Sequence, residues 1–132
     1  MKRKIDRRNE RLQRWDIITI SKAGDADHLD EMIRLLQDSR TPYDNARHIV
    51  RALGKIPHEK TETELLRISR VANGLILGDV AEAFGRLRTT AAKPLLLTWT
   101  NHEISWVREK SSWALKRFAE ARTSNRVPVT EG

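Results

Sequence analysis

The stretch Arg51-Ala52-Leu53-Gly54-Lys55-Ile56 decides the fold, because its pattern of residue types returns twice further along the chain. The second copy is Glu82-Ala83-Phe84-Gly85-Arg86-Leu87, and the third is Trp113-Ala114-Leu115-Lys116-Arg117-Phe118. The copies begin at residues 51, 82 and 113, a constant spacing of 31 residues, and preceding leucines keep that spacing at Leu35, Leu66 and Leu97. A fixed period of this length is typical of helical repeat arrays.

The residue types at the repeated positions fit stacked helices. The second position is always alanine, which lets helices of neighbouring repeats approach closely. The third and sixth positions are apolar and lie on one helix face, since residues three apart are neighbours on a helix. Gly54 and Gly85 share the fourth position, and glycine inside a helix costs about 1 kcal/mol relative to alanine. Its recurrence therefore predicts either close packing or a helix end at this point.

The rest of the chain also reads as helical, because alternating strand patterns are missing and good helix formers dominate. Cap signals mark the predicted helix starts, which are Asp27, Thr41, Thr61, Asn73-Gly74, Thr90 and Asn101. The histidines at 28, 48, 58 and 102 lack the spacing of a helical zinc site. Three of them, His28, His58 and His102, fall near these starts, so we expect surface or capping roles for them.

The chain of 132 residues is long enough for one domain. We place a single domain at 1–121, with repeats at about 27–57, 58–88 and 89–121. A basic helix over about 3–23 is expected to cap the first repeat, because a stacked array leaves an apolar end that needs cover. Residues 122–132, which include Pro128 and Gly132, are predicted to form a flexible tail.

The third repeat contains the motif that most closely resembles a known repeat family. Val107-Arg108, followed by Ala114-Leu115 and then Phe118, resembles the second helix of the HEAT-repeat family, especially the short repeats of phycobilin lyases and bacterial scaffold proteins. The resemblance covers about residues 27–121. It implies an all-α fold, a short right-handed α-α superhelix of about three two-helix repeats, and a scaffold that binds very different partners.

Charge is unevenly distributed along the chain. The 25 Lys and Arg residues outnumber the 18 Asp and Glu residues, for a net charge of +7. Residues 1–14 hold seven basic and two acidic side chains, a net charge of +5, which leaves only +2 for residues 15–132. A basic protein is a candidate for polyanionic partners, but here the basicity belongs mainly to one segment.

The residue inventory argues against several kinds of chemistry and location. No cysteine is present, which excludes disulfides, thiolate metal sites and cysteine nucleophiles. The sequence shows no phosphate-binding glycine loop and no nucleophile-elbow motif. We therefore expect no enzyme activity, no metal and no cofactor. With no signal peptide and no apolar run of membrane-spanning length, the simplest location is cytoplasmic, without membrane contact.

Basic residues recur at one position of the repeat, as Lys55, Arg86 and Arg117. Arg47 and Arg51 extend this column along one helix at spacings of four. Such a ridge could bind phosphates or an acidic protein surface. The alternative is that basic residues only offset the helix dipole near carboxyl ends.

Tryptophans form a second candidate cluster in the last repeat. Trp106 and Trp113 are two helical turns apart and share a face, and Trp113 occupies a repeat position expected to be exposed. Beside Arg108, Lys110 and Arg117, these rings could form a binding hot spot or a base-stacking platform. They could equally seal the end of the array or form a homodimer contact.

These features lead to a non-catalytic HEAT-like binding or scaffold module that holds a protein partner with its second helices. The predicted binding residues are Arg47, Arg51, Lys55, Arg86, Trp106, Arg108, Trp113 and Arg117. The first alternative is nucleic-acid binding by the same surface and the basic N-terminal helix. A weaker alternative is a divergent enzyme similar to the HEAT-like glycosylases of alkylated DNA bases, although repeat three offers no aspartate.

Overall fold

The computed structural model describes the backbone of residues 26–131 and the side chains of residues 27–120. Within that range the regular structure is all helical and contains no strand, which confirms the all-α part of the predicted fold class. The six α-helices are α1 (Leu29–Gln37), α2 (Tyr43–Leu53), α3 (Glu59–Val71), α4 (Ile76–Leu87), α5 (Lys93–Trp99) and α6 (Ser105–Glu131). Short 3-10 turns, Ala26–His28 and Thr90–Ala92, precede α1 and α5. The predicted helix over 3–23 lies outside the described residues.

Helix α4 occupies the centre of the described structure. It packs against α2 on one side and α6 on the other, and it also contacts α3. Consecutive helices pair as α1 with α2, α3 with α4 and α5 with α6. Phe84 of α4 is fully buried, as are Leu53 of α2, Leu65 of α3 and Val107 of α6. The second helix of each predicted repeat therefore lies beside the second helix of the next.

The recurring glycine marks a close contact between neighbouring second helices. A Cβ atom on Gly54 would lie 3.0 Å from the Cα of Ala83, and one on Gly85 would lie 2.9 Å from the Cα of Ala114. Gly85 and Ala114 lie 31 residues after Gly54 and Ala83, so the same contact recurs one repeat period later. Close packing, one of the two reasons predicted for this glycine, is therefore confirmed at both sites, and Gly54 also follows the last residue of α2.

Three predicted helix starts differ from the structure. Helix α1 begins after His28 instead of Asp27, and the His28 side chain makes no capping hydrogen bond. The Thr41 hydroxyl does not cap α2, because it donates a 2.7 Å hydrogen bond to the Leu35 carbonyl near the end of α1. Helix α3 begins two residues before Thr61, which is fully buried within it. The two threonine side chains have tertiary environments that the local pattern does not reveal.

Two histidines and a tyrosine accept hydrogen bonds from backbone amides near the starts of helices. His58 Nδ1 accepts a hydrogen bond from the Lys60 amide at the start of α3, and His102 Nδ1 accepts one from the Ile104 amide just before α6. These two contacts confirm the expected capping role, whereas His28 is buried. The Tyr43 hydroxyl accepts a hydrogen bond from the Ile76 amide and so serves the first turn of α4.

The last helix is longer than the sequence predicts. Its backbone stays helical to Glu131, beyond the predicted end of the third repeat at 121 and through the segment expected to be a tail. Proline at position 128 is the reason for expecting an earlier end, since it removes one backbone hydrogen bond from a helix.

Candidate binding cleft

The surfaces of α2, α4 and α6 enclose one open cleft. It has a volume of about 340 Å³, and its lining residues are Arg51, Lys55, Glu82, Arg86, Trp106 and Lys110. We call this set the basic cleft, because four of its side chains are basic and one is acidic. Each of the three helices contributes a basic residue at or near its surface, so the cleft depends on how the helices pack.

A buried carboxylate lies beneath the basic cleft and joins its three helices. Asp79 of α4 is fully buried. Its Oδ2 accepts a 2.6 Å hydrogen bond from Arg47 Nε, and its Oδ1 accepts 3.3 Å bonds from Arg51 Nε and from Trp106 Nε1. A buried charge is costly unless it is paired and hydrogen-bonded, and here the partners come from both neighbouring second helices.

The Asp79 contacts hold Arg47 and Arg51 in position. The hydrogen bond to Asp79 raises the pKa of Arg47 above its usual value, against the opposing effect of partial burial. The Arg47 side chain is 21% exposed, whereas that of Arg51 is 42% exposed. Arg51 is thus held at its Nε atom by Asp79 while its side chain lines the basic cleft.

Gly78 provides the space that Trp106 needs to reach Asp79. A Cβ atom on this residue would lie only 2.5 Å from the Nε1 atom of Trp106 and 3.0 Å from its Cγ. No side chain larger than hydrogen fits there without moving the indole. The neighbouring residues Gly78 and Asp79 therefore act together, one admitting the ring and the other accepting its N–H.

Cations lie close to both indole rings of α6. Lys110 Nζ is 4.7 Å from the ring centroid of Trp106 and 5.6 Å from that of Trp113. The guanidinium carbons of Arg117 and Arg86 are 5.1 Å and 5.8 Å from the Trp113 centroid. These distances are within the range of cation–π attraction.

Glu82 holds two of the cleft cations. Its Oε2 lies 3.1 Å from Arg86 Nη2 and 3.6 Å from Lys110 Nζ. These cations come from α4 and α6, so the carboxylate links the two helices across the cleft. Four basic residues and one acidic residue leave the lining with an excess of positive charge.

Seven of the eight predicted site residues gather in or beside the basic cleft. Arg51, Lys55, Arg86 and Trp106 line it, and Arg47 joins it through Asp79. Trp113 adjoins it because Arg86 and Lys110 of the lining lie near its ring, and Arg117 lies near the same ring.

Three details of the predicted site differ from expectation. Arg108 is not a lining residue, because its Nη1 donates hydrogen bonds to the carbonyls of His102 and Glu103 just before α6. Trp113 is half-buried rather than exposed, since it packs on Gly85. Arg117 lies well inside α6 and donates to the Gly85 carbonyl at 3.0 Å, so offsetting the dipole at the end of its own helix does not explain it.

Sequence reasoning missed Asp79 and Gly78 as parts of the site. Asp79 is the one charged residue in the apolar stretch Ile76-Leu77-Gly78-Asp79-Val80-Ala81. A lone acid in such a stretch signals a buried carboxylate, which needs partners. The partners themselves are distant in sequence and appear only when α2 and α6 pack on α4.

A cavity of opposite character lies between α1 and α3. It has a volume of about 290 Å³ and is lined by Asp30, Ile33, Gln37, Glu59, Lys60, Thr63 and Glu64. Glu64 is buried and accepts hydrogen bonds from Arg67 at 2.6 Å and from Gln37 at 3.1 Å. The first helices therefore present a mainly acidic groove, whereas the second helices present the basic cleft.

In the described part of the chain, no group of three or more His, Asp or Glu side chains is arranged to hold a metal ion. None of the helices between residues 26 and 131 combines the length and apolar character needed to cross a bilayer. Comparisons with protein-family models, with curated proteins and with solved structures each returned no match.

Proposed function

We propose that this chain is a non-catalytic binding module that holds a protein partner in the basic cleft, with its helices arranged as a short HEAT-like α-solenoid. The observation that carries the proposal is the joining of α2, α4 and α6 around one buried carboxylate, directly beneath a concave surface rich in arginine and tryptophan. Tryptophan and arginine in concave, well-packed settings are the residues that most often dominate binding energy at protein interfaces.

Two features support the solenoid arrangement. The Gly54–Ala83 contact recurs one period later as Gly85–Ala114, and the second helices pack side by side in chain order. Each repeat in a solenoid contacts mainly its neighbours and builds an extended binding surface. The basic cleft spans the three second helices in the same way.

The surroundings of the tryptophans favour a protein partner over nucleic acid. Base stacking needs an accessible aromatic face. Three cations lie within 6 Å of the Trp113 centroid, at 5.1, 5.6 and 5.8 Å, and Lys110 lies 4.7 Å from that of Trp106. A base would have to displace these side chains before it could stack. Nucleic-acid binding through the basic N-terminal segment stays a prediction, as does the weaker glycosylase-like alternative.

Site-specific photo-crosslinking tests the proposal directly. A photoreactive phenylalanine analogue replaces Lys55 at the edge of the basic cleft in one variant, and exposed Arg70 on α3 in the control. After irradiation in cells, we expect a discrete protein adduct from position 55, unchanged by nuclease treatment and absent from position 70. Equal adducts from both positions, or adducts that nuclease removes, would contradict a protein-binding cleft.

A further inference from the structure

The basic cleft already contains one carboxylate in a bound position. Glu82 lies between Arg86 of α4 and Lys110 of α6, at 3.1 Å and 3.6 Å, and its side chain is only 16% exposed. Two cations on different helices thus converge on a single carboxylate. The space between these two cations therefore accommodates a carboxylate group.

Four basic residues and one acidic residue line the cleft. Arg51 and Lys55 line it from the α2 side, opposite the Arg86 and Lys110 pair. Arg51 also faces Asp79, but that carboxylate is fully buried beneath the surface and shares its charge with Arg47. The mouth of the cleft therefore attracts anions, and the attraction is concentrated in a small concave volume.

We propose that the segment bound in the basic cleft is an acidic peptide, and that Glu82 competes with its carboxylates for Arg86 and Lys110. The inference rests on the proposed function and names the chemistry of the partner. Arginine binds carboxylates in forked, charge-assisted hydrogen bonds, which supply specificity as well as attraction. An incoming glutamate or aspartate side chain takes the place of Glu82 at the two cations.

A peptide fits these observations better than a polynucleotide does. Nucleic-acid affinity comes mainly from many phosphate contacts along an extended basic surface, whereas residues 15–132 carry a net charge of only +2. The cleft groups four basic residues with one acid in a small volume. A single glutamate or aspartate side chain of a peptide is short enough to enter such a cleft.

Fluorescence anisotropy with a fluorescein-labelled deca-glutamate peptide tests the inference on the full chain. A labelled decathymidylate of similar charge is the nucleic-acid probe, and deca-glutamine is the neutral control. Two cleft variants are compared with the unchanged chain, Lys55→Glu and Glu82→Gln. Arg70→Glu on α3 is the matched control, because it alters the net charge by the same amount as Lys55→Glu. Circular dichroism checks that each variant folds.

The two cleft variants are expected to change affinity in opposite directions. Lys55→Glu weakens deca-glutamate binding about tenfold, because a cleft cation becomes a repelling charge, and Arg70→Glu has a much smaller effect. Glu82→Gln tightens binding about threefold, since breaking a partly exposed ion pair frees both cations at modest cost. A purely structural role for Glu82 predicts weaker binding instead.

Other outcomes would overturn the inference. Equal losses in Lys55→Glu and Arg70→Glu would show that only the overall charge matters. Unchanged or weaker binding in Glu82→Gln would show that Glu82 does not compete, and tighter cleft-dependent binding of decathymidylate would assign the site to nucleic acid. If deca-glutamate does not bind while position 55 still crosslinks to a protein, the acidic-peptide inference is wrong and the proposed function stands.

Discussion

At the scale of single residues, Asp79 is a buried charge whose partners stabilise the packing of three helices. It is fully buried and pairs with Arg47, Arg51 and the Trp106 indole. Removing one partner of a buried ion pair is costly because it leaves the other charges without compensation. The partial exposure of the two arginines reduces that cost, since water can solvate them once the carboxylate is gone.

We expect Asp79→Asn to lower the free energy of unfolding by about 2–3 kcal/mol, because the amide keeps the shape of the side chain but not its charge. Urea denaturation followed by circular dichroism measures the change. The control is Asp30→Asn, whose carboxylate forms an exposed ion pair with Lys60 and should cost less than about 1 kcal/mol. Similar losses in both variants would contradict the special role of Asp79.

Asp38 provides a test of local electrostatics that is independent of the cleft. Hydrogen bonds from the Arg40 side chain and backbone lower the pKa of the Asp38 carboxyl. A lowered pKa in the folded state stabilises the protein above the carboxyl's usual range, and this contribution is lost as pH falls through the folded-state value. NMR titration of the carboxyl carbon should give a pKa below 3.8. In Arg40→Ala we expect the pKa to return toward that value, and an unchanged pKa would show that Arg40 is not the cause.

At the scale of helices, the glycine–alanine contacts determine how closely the second helices approach. Alanine has the higher helix propensity, so Gly85→Ala in an isolated helix would be stabilising by about 1 kcal/mol. Within the fold the new Cβ would lie 2.9 Å from the Ala114 backbone and 2.8 Å from the Trp113 ring. Overpacking of this kind typically costs about 1–3 kcal/mol.

We therefore expect Gly85→Ala to lower the midpoint of thermal unfolding, despite the gain in helix propensity. Ser112→Ala, at an exposed position of α6, is the control and should leave the midpoint unchanged or slightly raised. Differential scanning calorimetry compares the two variants. A rise for Gly85→Ala would mean that α4 and α6 are not in close contact at this glycine.

Helix type and repeat spacing were predictable from the sequence, because each rests on residue types within one segment or at one period. The repeated glycine of 54 and 85 predicted close packing without any knowledge of its partner. Helix starts were less predictable, since the Thr41 hydroxyl has a partner in α1 and Thr61 is buried. In both cases a tertiary environment takes precedence over a local capping pattern.

The candidate site was predictable only in part for the same reason. Lys55 and Arg86 of the cleft share one repeat position, so their placement on one surface follows from the period, whereas Arg51 and Lys110 do not recur in this way. Asp79 interacts with residues on two other helices, and Gly78 accommodates a ring from α6. Such contacts depend on how three helices pack, which no local pattern contains.

At the scale of the whole molecule, two cavities in the described part of the chain differ in charge. The cavity between α1 and α3 is mainly acidic, and the basic cleft lies on the second helices α2, α4 and α6. An acidic segment should therefore be attracted to one surface and repelled from the other. This difference in charge predicts where on the protein an acidic peptide binds, which affinity measurements alone do not test.

NMR titration of the isotope-labelled chain with deca-glutamate tests the central claim most directly, because it reports where the peptide binds. We predict shifts of the Trp106 indole N–H and of backbone amides near Arg51, Lys55, Arg86 and Lys110, with little change in α1 and α3. Shifts confined to residues 1–14, or spread over α1 and α3, would contradict the claim that the basic cleft is the binding surface.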